Sequence, residues 1–270
     1  MALSEMARVL ITVKASPEPS MTHGDTVCVA GIRLDVARPR WIRLYPVPFR
    51  YLDENQQFKK YEIVDVEITK ARKDPRLESY SPNLATIRRT GSLKKADRPN
   101  HVLPLVDRTM CEVQRDLDSD INGPSLAVVR ARSIERLVVD RHPGWTVEER
   151  RRLDLWASAP DLFGTPKTRT LQAPRLRAVY EWHCESPNCG GHKMRMLDWE
   201  LTALQRRFSS LSDAELVDVV RTNFLTKMFP SMKTPHFFVG NFASGPKRKS
   251  FSILGAFPSE IATPDVPLFD

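Results

Sequence analysis

Cys184, Cys189 and His192 fall within the short stretch EWHCESPNCGGHKMRMLDWEL, residues 181–201, and together they are a metal-ligand set. Tetrahedral zinc takes thiolate sulfur at about 2.3 Å and imidazole nitrogen at about 2.0 Å, and a structural site uses four such ligands. Between the three residues stand Pro187, Asn188, Gly190 and Gly191, which favour turns and positive φ, so the backbone can fold around an ion rather than run past it. The fourth ligand must come from elsewhere. Cys111 is the first candidate and His183 the second, although a side chain next to Cys184 on a strand projects the other way. Closure by four protein groups makes such a site structural, and an open fourth position makes it catalytic. The plain alternative is two reduced thiols beside a polar histidine, because C-x4-C-x2-H is less diagnostic than a CxxC pair.

Phosphate contact is the second chemistry the residues suggest. The chain carries a formal net charge of +8, and residues 1–110 hold 19 Lys and Arg against 13 Asp and Glu, while the remainder is nearly balanced at 22 against 20. Lysine and arginine neutralise backbone phosphates and release counterions, so a basic N-terminal region suits a nucleic acid, whether DNA or RNA. Three places concentrate the charge. Trp41, Arg43 and Tyr45 alternate along WIRLYPVPF and form a face suited to stacking on bases beside phosphates. Arg88, Arg89, Lys94 and Lys95 surround a Gly-Ser turn in IRRTGSLKKADRPN, residues 87–100, which reads as a flexible basic loop, and Lys247, Arg248 and Lys249 lie at the exposed tip between two strand-like runs near the C-terminus. Surface solvation and plain aromatic packing are the competing explanations for each.

The elements that carry these groups follow from hydrophobic period. Residues 9–14, 26–34, 41–49 and 61–70 read as strands joined by proline-bearing turns, which predicts a small β-rich, barrel-like domain over residues 1–107. Cys28 reads there as a small buried hydrophobe. Asp65, Glu67 and Lys70 invite comparison with metal-dependent nucleases, but Glu67 and Lys70 are three apart and so on opposite faces. Residues 108–175 are expected to connect the two halves, with 108–124 as an acidic linker or loop, one or two strands over 125–139 and a short helix begun by the capping box Thr146/Glu149. Over residues 176–270 a strand with Leu176, Ala178, Tyr180 and Trp182 on one face enters the cysteine loop, helices follow over 198–208 and from Ser212, and a hairpin closes the chain. The fold class is therefore α+β: a β-rich barrel-like domain, then a mixed α/β domain carrying the zinc loop.

Composition bounds the rest. Hydrophobic residues make up 41% and charged residues 27%, ordinary values for a globular protein, and the 21 prolines argue against a long helical bundle. No apolar run approaches the roughly 18 residues of a membrane span. The N-terminus has Glu5 early and only a short apolar run, so no secretion signal is expected, and four cysteines suit a reducing cytoplasm better than a disulfide scaffold.

Three stretches, WIRLYPVPFRYL, the C-x4-C-GGH segment followed by DWEL, and HFFVGN with FSILG, resemble a family of uncharacterised bacterial proteins. The resemblance implies a shared layout with Cys111 joining the downstream cluster, and no activity. From the residues themselves the leading expectation is a zinc-containing nucleic-acid-binding protein. A metal-dependent hydrolase or nuclease, with Asp198, Glu200 or His183 as general base at an open metal, is the second. A protein-interaction module without catalysis is the third.

Overall fold

Alternation of apolar residues organises the first half of the chain into strands that close on themselves. The computed structural model describes residues 3–19, 26–49, 52, 54, 56–72, 74–158, 171–243 and 246–261. Strands β1 (Ser4–Lys14), β2 (Val27–Arg33), β3 (Arg40–Val47), β4 (Glu62–Lys70) and β5 (Ser79–Pro82) run in the order β1-β2-β3-β5-β4, and β4 returns to β1. Every pairing is antiparallel except β3 with β5. That connectivity is the five-stranded Greek-key barrel of the OB type. A sixth strand, β6 (Arg88–Ser92), pairs with the first half of β4 outside the closed ring.

Val9, Ile11, Val29, Ile42, Leu44, Val64, Val66 and Ile68 fill the barrel, and Phe49, Leu52 and Phe58 from the β3–β4 connection plug its end. At Gly31 a Cβ would stand 2.3 Å from the Leu10 carbonyl oxygen, so glycine is what lets β1 and β2 approach.

A second antiparallel sheet follows, from β7 (Leu126–Arg141), β8 (Leu176–Cys184), β9 (His192–Arg195), β10 (Lys233–Asn241) and β11 (Phe251–Glu260), in the order β11-β10-β7-β8-β9. β7 hands over midway: its start pairs with β10, and from Ala131 onward it pairs with β8 across two register shifts. A parallel bridge from Met196 to Ile253 draws the end of β9 back to β11. Helices α1 (Arg98–Val102), α2 (Met110–Ser119), α3 (Val147–Ser158), α4 (Trp199–Arg207) and α5 (Asp213–Arg221) complete the fold, with one π turn over Thr222–Thr226 after α5. Tyr180, Trp182, Phe237, Leu117, Leu216 and Val220 lie in the core of this half. Among the described residues no helix is long and apolar enough to cross a membrane.

The two sheets share a third core. Leu10, Val13, Ala30 and Ile32, on the outside of the barrel, pack with Leu126, Val128, Leu197, Phe238, Leu254 and Phe257. β1 continues across this seam, since Ala15 bridges Asp198 and the Ser16 N–H donates to the Leu197 carbonyl at 2.8 Å. Lys60 donates to both Asp198 carboxylate oxygens at 2.7 Å.

Three expectations change. Residues 108–124 are not a linker: Thr109 and Glu112 form a capping box that starts α2, and Met110, Val113 and Leu117 bury at helical spacing. Residues 87–100 are not one loop, because β6 occupies Arg88–Ser92 and α1 begins at Arg98. Cys28 is only half-buried, and its sulfur accepts a hydrogen bond from Arg43 Nη1 at 2.9 Å.

Candidate metal centre

Cys184 is the last residue of β8 and His192 the first of β9, so the hairpin joining two paired strands places both at one end. The Cys189 N–H closes a turn on the Ser186 carbonyl at 3.1 Å, which brings the third ligand back toward β8. Gly191 has φ +92°, and a Cβ there would lie 3.2 Å from His183 Nε2, so the return to β9 relies on glycine for both conformation and space. Cys111 arrives from the first turn of α2, whose capping box fixes where the helix starts.

The four ligand atoms lie within 4.8 Å of one another. Cys184 Sγ is 3.5 Å from Cys111 Sγ, and His192 Nε2 is 3.3 Å from Cys189 Sγ and 3.7 Å from Cys111 Sγ. A tetrahedral ion with metal–sulfur bonds of about 2.3 Å and metal–nitrogen bonds of about 2.0 Å requires ligand–ligand edges of about 3.5 to 3.8 Å. The cluster already has edges close to those, and its Cys3His donor set suits such an ion.

Electrostatics point the same way. Burial, and then the neighbouring Cys184 and Cys189 thiols, push the Cys111 thiol up to about 12. Burial also acts against ionisation of Cys184, yet hydrogen bonds from the Ser186 and Cys111 backbone and from the other thiols hold it below the usual thiol value. Burial lowers His192, with His183 adding to the effect, so its imidazole is neutral and Nε2 is free to ligate. One thiolate is favoured here and a second is resisted unless a cation stands between them. Trp182 packs on the His192 ring at 4.7 Å and helps hold its orientation.

His183 is not the fourth ligand, since Nδ1 faces Glu135 at 3.0 Å on the other side of β8. Asp198 is 2% exposed, caps α4 through the Glu200 N–H and is bound by Lys60, so it stands outside the cluster as a structural acid.

The basic residues separate into two groups. Arg43, expected on an exposed face, is 3% exposed: its strand face lies against the second sheet, and Nη2 donates to the backbone oxygen and the hydroxyl of Ser125 at 3.1 and 3.0 Å. Trp41 is half-buried and packs edge-on against Phe238 at 6.0 Å, and Tyr45 is half-buried as well. Arg248, expected at an exposed tip, is 5% exposed and donates to the Ile121 carbonyl and to Asn241. Lys249 is exposed, and the side chain of Lys247 lies outside the described residues. Arg88, Arg89, Lys94 and Lys95 are all exposed or nearly so along β6 and the turn after it. Arg76 and Glu78 of the β4–β5 connection escaped sequence reasoning. Arg76 donates to the Asn241 carbonyl at 2.7 Å and Glu78 accepts from the Ser125 N–H at 2.9 Å, and no local pattern signals partners so far along the chain.

No curated protein matches this chain. Residues 5–107 match the family model described as Domain of unknown function (DUF8758), and residues 106–270 match Domain of unknown function (DUF8757). The second match covers more than half of the sequence, metal cluster included, and the chain therefore belongs to the DUF8757 family.

Proposed function

We propose that this chain is a nucleic-acid-binding protein whose zinc ion is structural and whose contact surface is β6 with the residues just after it. The observation that carries the reading is the state of Arg88, Arg89, Lys94 and Lys95: all four face solvent within eight residues, and none pairs with an acid among the described residues. Elsewhere on the surface arginines such as Arg8, Arg136 and Arg175 are neutralised by Asp65, Glu181 and Asp213. Unpaired, solvated cations on an edge strand suit backbone phosphates, which position a nucleic acid without reading its sequence. Zinc is favoured for the cluster by three thiolates and one imidazole at tetrahedral spacing, and four protein ligands leave no open position for a substrate or a metal-bound water. Three ligand thiols suit a reducing compartment, the cytoplasm.

In OB barrels the usual nucleic-acid surface is the face of strands 2 and 3. Here the second sheet covers it, which moves the contact to the far side of β4. Elemental analysis of protein prepared without chelator should give one zinc per chain. Fluorescent single- and double-stranded oligonucleotides, titrated at several salt concentrations, should show affinity falling steeply with salt. A salt-independent association, or none, would remove the nucleic-acid reading while leaving the metal reading intact.

A further inference from the structure

A cleft opens where the two family-matched halves meet, away from both the metal cluster and β6. The β1–β2 connection contributes Ser16, Pro17 and Glu18, and the second half contributes His142, Trp145, Arg177, Arg195 and Arg206. Its accessible volume is about 30 Å³, room enough for a compact group.

The charges facing the cleft do not balance. Among the described residues Arg177 and Arg195 line it with Glu18 as the single acid, which leaves a positive surplus before Arg206 is counted. Glu18 Oε1 is buried 2.8 Å from Arg195 Nη2 without a hydrogen-bonding alignment, so the carboxylate offsets charge but leaves the guanidinium's donors largely available. Arg177 is exposed on β8 and forms no ion pair among the described residues, even though Asp140 stands opposite it in the register. The Gly144 N–H donates to His142 Nδ1 at 3.0 Å, which fixes the neutral tautomer with its proton on Nε2. Burial, with Arg195 and Arg177, lowers the His142 pKa, so the ring stays a neutral donor at physiological pH.

We propose that this cleft binds a phosphate-class oxoanion, held by Arg177, Arg195 and the Nε2–H of His142, with Glu18 orienting Arg195. An anion matches the positive surplus, and a tetrahedral oxoanion accepts from donors arriving along different directions. Domain junctions and the loop between the first two strands of an OB barrel are both recurrent places for ligands.

Calorimetric titration of the full-length, metal-loaded protein with inorganic phosphate tests this, with sodium chloride at matched ionic strength as control. Saturable one-to-one binding of phosphate and not of chloride is expected, and Arg177→Ala and His142→Gln should each weaken it by about tenfold. Arg177 is exposed, so its variant keeps the fold, which circular dichroism and an unchanged melting temperature verify. Methyl phosphate distinguishes the source: binding equal to that of phosphate assigns the cleft to a phosphate monoester headgroup, and rejection assigns it to the free ion. Absence of saturable phosphate binding, or binding unchanged in both variants, overturns the proposal. Neutralising Arg88 and Arg89 should leave phosphate binding as it was, which separates this site from the β6 surface.

Discussion

β3 and β6 belong to the same barrel system and both carry arginine, yet they meet opposite fates. Arg43 on β3 is buried against Ser125 and Cys28, while Arg88 and Arg89 on β6 stand in solvent. The difference lies in what covers each strand. Phe238, Leu254 and Phe257 of the second sheet press onto the β1–β2–β3 side, and among the described strands β6 has only β4 beside it. A guanidinium removed from water needs acceptors for its donors, and the seam supplies several from distant residues: Ser125 for Arg43, whose Nε stays without a partner among the described residues, Asn241 for Arg76 and Ile121 for Arg248. Charge in the sequence thus marks an interior lock in one place and an open surface in another.

Removing the metal should have the largest effect and tests whether the seam makes the halves one unit. Apparent zinc binding energies of about 10 to 16 kcal/mol in finger peptides set the upper bound on the loss. Chelation or Cys184→Ser should lower one common unfolding transition, followed by circular dichroism and by near-ultraviolet signals from Trp182; two separated transitions would break the coupling between the halves. Because Cys111 must lose a proton from a thiol held at about 12, metal uptake should release protons and affinity should rise with pH, readable by titration in buffers of different ionisation enthalpy.

Asp198→Ala comes next. It strands the part-buried Lys60 ammonium and removes the cap of α4, and should cost about 3 kcal/mol in chemical denaturation. A loss under about 1 kcal/mol, the range of an exposed pair, would mean that the Lys60–Asp198 contact does not hold the seam.

Arg43→Ala should cost roughly 2 to 3 kcal/mol through the hydrogen bonds it gives up at Ser125. Stability equal to that of the unsubstituted chain would place Arg43 in solvent and erase the contrast with β6. The smallest stability effect belongs to β6: Arg88→Ala and Arg89→Ala should each stay within about 0.5 kcal/mol.

The strands were legible because alternation is local. Leu176, Ala178, Tyr180 and Trp182 share a face in sequence and are all buried in β8, and Cys184, Cys189 and His192 could be named as a ligand set from residue type and spacing, with Cys111 the first of two candidates for the fourth place. Period-two alternation separates the two faces of a strand but says nothing about what lies over the outer one, so Arg43 and Trp41 looked exposed until β7 and β10 were placed beside them. α2 was hidden by composition, since acidic residues around Leu117 suggested a linker while the Thr109/Glu112 box and the spacing of Met110, Val113 and Leu117 carried the helix. Lys60 with Asp198 and Arg76 with Asn241 lie 138 and 165 positions apart, a separation no local pattern spans.

The most direct test of the β6 surface compares the salt dependence of single-stranded oligonucleotide binding for the unsubstituted protein, for the Arg88→Ala/Arg89→Ala/Lys94→Ala/Lys95→Ala variant and for Arg43→Met. Every phosphate that β6 no longer neutralises should lower the slope of log K against log salt by about 0.7 and weaken binding across sequences, while Arg43→Met should leave the slope unchanged. An unchanged slope in the fourfold variant, or a flattened one in Arg43→Met, would contradict the account.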